Sequence, residues 1–342
     1  MKKNKLVIIG FGKRGHTHLE ALVGNPNVEV VAVCDLQKLK GLDSKIKHFK
    51  RYKGMCKKIE FDGALICTPT RTHYKIASEM LKNGKHIMVE KPLTLKKQEA
   101  INLVCLAKKN NKACLTGYHL RYDPYINKVK EIISSGKLGK IYTIRARQSH
   151  NWGYGRPFSW SIKPEISGGG TIIDNGSHYV DLLVNIFGKV KNVCGVSNKL
   201  SFSTDVEDNA IVLLKFQNNI IASIEISWGD VSGRNNELSI WGSGGVLKYI
   251  NNNKGSGLEI IKYENLKKDP WNKYKEEFFY SPKGIELLGK GKEIIENKKM
   301  SDQILNQFLL LMNNPKKLKE YYNDSNSEYV VGLMSRIYKS IL

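Results

Sequence analysis

Apolar and polar positions along this chain follow one rhythm up to about residue 122 and a different one after it. In the first part, short β-branched runs at 6–9, 28–33, 63–67, 86–89 and 113–116 alternate with stretches such as 72–83, where Ile76, Ala77, Met80 and Leu81 recur at helical spacing. Strands alternating with amphipathic helices predict a doubly wound parallel sheet of the Rossmann type. After Pro124 a helix carrying Ile126, Val129, Ile132 and Ile133 runs to Gly136, and the segments 141–147, 210–216, 220–228 and 237–241 then alternate with period two. That rhythm leaves one face of a sheet toward a core and the other outward, and Gln217-Asn218-Asn219 between two of the segments is a hairpin signal. The second region therefore reads as α+β with a large, mostly antiparallel open sheet. A last helix near 327–342 carries Val330, Val331, Leu333, Met334, Ile337 and Tyr338, a broad apolar face that must dock. The expected organisation is a first domain over 1–122, a second over 123–325 and a closing helix over 326–342.

Composition narrows the classes. The chain has 342 residues, 41% of them hydrophobic, enough for two domains with separate cores. The lysines at 2, 3 and 5 precede only four apolar residues before Gly10, so the start reads as a strand rather than a signal peptide. No apolar run approaches the ~20 residues that span a bilayer, and the expectation is a cytoplasmic protein with no membrane association. Six cysteines are scattered without a C-x-x-C pair, so neither a disulfide framework nor a metal site is expected. The formal charge of +23 comes from 46 lysines and only 9 arginines, interspersed with 32 acidic residues. That is a solvated lysine surface rather than a nucleic-acid face, which favours arginine forks with interleaved aromatics. The lysines at 38 and 40 read as part of a solvated second helix.

Candidate chemistry begins at Gly10-Phe11-Gly12-Lys13-Arg14-Gly15, which follows the first strand and opens a helix predicted over 16–23. Such glycines permit a tight turn and close approach of backbone to a pyrophosphate at a helix N-terminus. Asp35, 20 residues past Gly15 at the end of the second strand, is placed to accept ribose hydroxyls. The aspartate points to NAD, with NADP left open by the nearby lysines.

A second constellation lies further on. Lys91, in Glu90-Lys91-Pro92 at a strand end, can polarise an alcohol oxygen, and its bland alternative is a surface lysine. Asp174 and His178, four residues apart after Gly168-Gly169-Gly170, share one helix face, where an imidazole can take a hydroxyl proton. The alternative is a capping aspartate beside a core histidine. The stretch 149–160 offers Trp152, Tyr154, Arg156 and Trp160, suited to stacking on a sugar face and bonding its hydroxyls, or equally to an oligomer contact. Arg145, Arg147, Arg156 and Lys163 suggest a phosphate, although an exposed strand face explains them as well.

These residues resemble the Gfo/Idh/MocA oxidoreductases. The resemblance runs over nearly the whole chain and rests on the glycine fingerprint, Thr68-Pro69 with His73, Glu90-Lys91-Pro92, Arg121-Tyr122-Asp123-Pro124 and the segment from Gly168 to Asp181. It implies an NAD(P)-dependent oxidoreductase moving hydride between nicotinamide and a secondary alcohol or ketone of a sugar, cyclitol or sugar nucleotide. By resemblance Lys91, Asp174 and His178 are catalytic. Gly10, Gly12, Lys13, Arg14, Gly15, Asp35, Thr68, Pro69, His73, Glu90 and Lys91 hold the cofactor. Arg121, Tyr122, Asp174 and His178 join the aromatic stretch in contacting substrate, while Asp181 supports His178 or a helix contact. A cis Lys91-Pro92 bond, a homodimer or homotetramer built on the open sheet, and a final helix returning to the first domain are implied too. The competing readings are an NAD-dependent glycosidase using transient oxidation and a non-catalytic ligand sensor.

Overall fold

A computed structural model describes residues 3–39, 41–151, 160–262, 285–290 and 300–341. The first sheet contains β1 (Asn4–Ile9), β2 (Val28–Cys34), β3 (Lys47–Phe49), β4 (Gly63–Ile66), β5 (His86–Val89) and β6 (Cys114–Thr116). Its order is β3-β2-β1-β4-β5-β6, all neighbours parallel, as in a dinucleotide-binding sheet. The contiguous apolar runs are explained by burial on both faces. Val7, Ile9, Ala64 and Ile66 pack in one core with α3 (His73–Lys82) and α4 (Lys97–Lys109). Leu6, Ile8, Leu65 and Met88 pack in another that includes Leu22 of α1 (Lys13–Leu22). Each fully buried aliphatic side chain contributes roughly 1.5–3 kcal/mol.

Two expectations are corrected here. The lysine-rich stretch after Asp35 forms no helix at Lys38; it turns, passes through the short edge strand β3, and only then enters α2 (Tyr52–Lys58). The return to the first domain also begins before residue 326. The helices α8 (Met300–Asn313) and α9 (Pro315–Asp324) bury Ile304, Leu305, Phe308 and Leu318 in the core beneath β1 and β6. Tyr321 and Tyr322 of α9 donate to the carbonyls of Cys114 and Lys112.

Asp123 opens the second domain, its carboxylate accepting the N–H groups of Tyr125 and Ile126 at the start of α5 (Pro124–Ser134), with Pro124 at the first turn. The second sheet uses β7 (Ile141–Ser149), β8 (Val190–Asn198), β9 (Asn209–Phe216), β10 (Ile221–Ser227), β11 (Asn235–Gly242), β12 (Gly245–Asn252), β13 (Gly255–Lys262) and β14 (Ile285–Lys290). The order is β14-β13-β12-β11-β7-β10-β9-β8, and β7 with β10 is the parallel pair among antiparallel ones. The hairpin between β9 and β10 turns at Asn219 with φ 66°, a left-handed conformation asparagine tolerates. Period two resolves as expected: Ala210, Val212, Leu214 and Phe216 are buried, while Ile211 and Leu213 face outward.

Two further helices, α6 (Pro164–Ser167) and α7 (Ser177–Phe187), separate β7 from β8 in the chain. The closing helix α10 (Ser327–Lys339) contributes to both cores: Val331 packs with the first sheet, and Val330, Leu333, Met334 and Ile337 pack with the second.

Candidate functional site

The first sheet changes winding direction between β1 and β4, and the crevice at their C-terminal ends is where such folds take ligands. Gly10 leaves β1 with φ 90°, and a Cβ there would fall 2.7 Å from the backbone of Cys67 and Thr68. Gly15 is equally constrained, since its Cβ would meet the Gly10 carbonyl at 2.4 Å. Gly12 has open space where its Cβ would stand, and α1 begins without a side-chain cap. A tight loop, an open approach and an uncapped helix N-terminus are what a pyrophosphate needs. Lys13 and Arg14 are exposed on the first turn of α1. Asp35 stands at the end of β2, its two oxygens accepting the N–H groups of Phe11 at 2.7 Å and Gln37 at 2.9 Å. The remaining lone pairs of the carboxylate can accept ribose hydroxyls. The residues fit the adenosine half of a dinucleotide.

Next along the crevice, Thr68 follows β4, with its hydroxyl accepting from Thr72 at 2.7 Å. Pro69 leads a short turn into α3. His73 is buried, one ring nitrogen 2.8 Å from the Thr68 carbonyl and the other 2.9 Å from that of Pro92. His73 therefore fastens the Thr68 and Pro92 loops together rather than presenting a ring to a cofactor. The Lys91-Pro92 peptide is cis, as the resemblance implied.

Lys91 and Asp174 meet across the domain boundary. The Lys91 ammonium, only 11% exposed, donates to the Asp174 carbonyl at 2.7 Å and to its carboxylate. Burial alone would raise the Asp174 carboxyl, but the neighbouring ammonium holds it below the usual carboxylate range. The expected helix face is modified. Residues Ile172–Gly176 form a single π turn before α7, and Asp174 gives its carboxylate to Lys91 rather than to His178. π turns of this kind recur at functional sites.

The turn is pinned from below by Glu207, which precedes β9. Its carboxylate accepts the N–H groups of Gly170 and Ile172 at 3.0 Å and the Tyr338 hydroxyl at 2.7 Å. The glycine run is required there. A Cβ on Gly169 would lie 1.9 Å from the Tyr338 oxygen, and one on Gly170 would lie 2.0 Å from the Glu207 carbonyl.

His178, on the first turn of α7, is 4% exposed, and its Nδ1 has no hydrogen-bond partner among the described residues. Its ring lies 4.4 Å from that of His119, centroid to centroid, at 63°. Burial first, then His119, Lys91 and Arg14, holds the imidazole well below its usual pKa, so it is neutral at pH 7. His119, just past β6, is pushed down to about 3, chiefly by burial. His150 is 2.9 Å from the Asn175 amide nitrogen on the π turn. Glu90 pairs with His18 of α1 at 2.8 Å, and although burial opposes ionisation, that bond and Arg14 keep its carboxyl far below the ordinary range.

Several sequence-derived assignments move. Arg121 is held by Asp181 through two bonds of 2.7 and 2.6 Å, both side chains nearly buried. It thus anchors α7 rather than offering a free guanidinium, and Asp181 serves Arg121 rather than His178. Tyr122 packs on the α8 and α9 core. Arg145 is matched by Glu225 and Arg147 by Asp230, so the suggested phosphate cluster does not assemble among the described residues. Trp152, Tyr154 and Arg156 lie outside the described residues; Trp160 is 41% exposed. His18, His119 and Glu207 were not singled out from sequence. The placement of His119 three residues past the last parallel strand was the signal available for it.

Comparison with known proteins gives a consistent picture. Residues 4–118 match the family model for an oxidoreductase family with an NAD-binding Rossmann fold, and residues 126–248 match the GFO/IDH/MocA C-terminal domain. The chain is 27% identical to myo-inositol 2-dehydrogenase of Thermotoga maritima over 71% of this chain and 74% of that one. It is 27% identical to D-glucoside 3-dehydrogenase of Escherichia coli, covering 66% and 70%. Among solved structures, GenD2 from gentamicin A biosynthesis in complex with NAD superposes with a TM-score of 0.80 at 22% identity, covering 99% of this chain and 94% of that one.

Proposed function

The chain belongs to the GFO/IDH/MocA oxidoreductase family, and from that premise we propose that it oxidises a secondary alcohol of an uncharged sugar or cyclitol, or reduces the matching ketone, with NAD preferred. The observation that carries the reading is the contact of Lys91 with Asp174 beside the neutral, buried His178. Bound NAD supplies the hydride acceptor. The remaining work falls to this chain. An ammonium has three N–H donors, and two of those on Lys91 are given to Asp174. The third is available to the reacting oxygen, where it favours the alkoxide. His178, deprotonated at pH 7, accepts the hydroxyl proton on a ring nitrogen, and in the reverse direction returns it. Asp174 fixes the ammonium and bonds a neighbouring substrate hydroxyl. The pairing of Arg121, Arg145 and Arg147 with carboxylates, among the described residues, supports an uncharged substrate. Relatives named for myo-inositol and for D-glucosides agree with that class.

The outward face of the second sheet supports a homodimer or homotetramer. Val196, Ile211, Leu213 and Ile221 are 46–52% exposed on neighbouring strands, a patch that suits a second copy. No helix among the described residues is long and apolar enough to cross a membrane.

The deciding experiment follows reduced nicotinamide by its near-ultraviolet absorbance, with NAD or NADP and a panel of inositols, hexoses, hexose phosphates and nucleotide sugars. Stoichiometric reduction with a neutral polyol is expected. Turnover of substrate without net reduction would replace this reading with a glycosidase that recycles its NAD, and NAD binding without turnover of any class would favour a sensor.

A further inference from the structure

We propose that His18, Cys67 and Glu90 form a binding site for a borderline-soft divalent cation of the zinc class, in the floor of the crevice beside the glycine loop. One donor atom from each residue lies within 4.8 Å of the other two. They come from three elements: His18 from the second turn of α1, Cys67 from the end of β4 and Glu90 from the end of β5. Imidazole, thiolate and carboxylate are the donors zinc selects, at about 2.0–2.1 Å for nitrogen and oxygen and about 2.3 Å for sulfur. Two donors on one tetrahedral ion stand about 3.3–3.7 Å apart, so a pair as far apart as 4.8 Å must close by about 1 Å on binding.

The surroundings agree. The His18 side chain is 4% exposed and that of Glu90 12%, so these are not surface groups that happen to meet. His18 Nε2 and Glu90 Oε1 already face each other at 2.8 Å, and a cation between them replaces a hydrogen bond with two coordinate bonds. Thiolate and carboxylate together match a charge of two, the thiol proton leaving to solvent. The second oxygen of Glu90, 4.0 Å from Arg14, keeps its own cationic neighbour. A cavity of about 220 Å³ lined by Arg14, His18, Glu90, Gly117 and His119 reaches two of the three donors and has room for a water as fourth ligand. Nδ1 of His18 has no partner among the described residues, so no outer acceptor fixes the ring. With three protein donors, that makes the site exchangeable rather than permanently filled. The absence of a C-x-x-C pair says nothing against it, because the donors converge only in the fold.

The test uses the full chain, dialysed against Zn2+ for metal content and against Co2+ for the thiolate-to-cobalt charge-transfer absorption. One equivalent and a thiolate band are expected. Since losing an outer-sphere partner costs roughly 10–100-fold in metal affinity, losing a ligand should cost at least about 100-fold. Cys67→Ser should lose the band and that affinity, and His18→Gln should lose the affinity independently should the first variant fold poorly. Cys105→Ser and Cys194→Ser, which alter the exposed cysteines, should change neither. Absence of the band from the native protein, its persistence in Cys67→Ser, or its loss in either exposed-cysteine variant overturns the proposal.

Discussion

The glycine loop and the reactive cleft lie side by side and are built on opposite plans. The loop uses contiguous residues and mainly backbone: Gly10, Gly12 and Gly15 within one turn, answered by one carboxylate at the next strand end. The cleft uses side chains collected from across the chain. Lys91 reaches Asp174 83 residues away, and Glu207 holds the π turn with help from Tyr338, 131 residues beyond it. A site made by one crossover depends on local geometry, whereas a site made at a boundary depends on two domains agreeing. The two regions should therefore fail separately.

The sharpest separation is Lys91→Ala. Turnover should fall by about 10³-fold or more, since both the polarising cation and the anchor of Asp174 are lost, while NAD affinity measured by fluorescence titration stays within a few-fold. An equal loss of NAD affinity would merge the two regions.

Glu207→Ala comes next. It leaves two backbone N–H groups and the Tyr338 hydroxyl without their acceptor, at about 1–3 kcal/mol for each unsatisfied buried group. We expect kcat to drop by about 100-fold through loosening of Asp174 and His178, with Tyr338→Phe showing a smaller loss in the same direction and NAD binding unchanged in both. The converse variant, Gly10→Ala, forces a Cβ to 2.7 Å from backbone that cannot yield. Overpacking of this kind costs about 1–3 kcal/mol, and the loss should appear in NAD affinity first, at about tenfold.

The smallest effect is in pH. The His178 pKa is depressed, so its base form persists below the ordinary histidine range, and the acid limb of kcat/KM for alcohol oxidation should lie well under pH 6.5. His119→Asn removes one depressing neighbour and should move that limb upward, by less than about one pH unit. The sign for stability is the same. A histidine with a depressed folded pKa is protonated more readily in the unfolded chain, so stability is complete above about pH 6.5 and erodes as pH falls toward the folded values, about 4 for His86 and about 3 for His119. Denaturant titrations at pH 7 and pH 5 should show the protein less stable at the lower value.

Most of the loop was legible in the sequence and only part of the cleft. Strand runs buried on both faces, the Gly10 to Gly15 spacing and Asp35 are local signals, and local physics settles them. Lys91, Asp174 and His178 carried a weaker signal that the family resemblance raised. The bidentate pairing of Arg121 with Asp181 was invisible because it is a tertiary fact between groups 60 residues apart, and Arg121 alone reads as a binding group. His119 and Glu207 were missed for the same reason. The short strand at 47–49 was hidden in a lysine run that looked like a solvated helix, since an edge strand needs little apolar content. The early return of α8 escaped because an apolar face such as Ile304, Leu305 and Phe308 shows that a helix docks, not which domain it docks on.

The bond from Tyr338 to Glu207 has a consequence for synthesis. A ribosome adding roughly 5–20 residues per second delivers the tyrosine about 7–26 s after the glutamate, because 131 residues separate them. During that interval the first parallel strands are already outside the exit tunnel, yet the π turn lacks its last tether and α10 has not joined the two halves. The nucleotide-binding half waits as well, because α8 and α9 complete its core, so neither site is finished until the chain beyond residue 300 has been made.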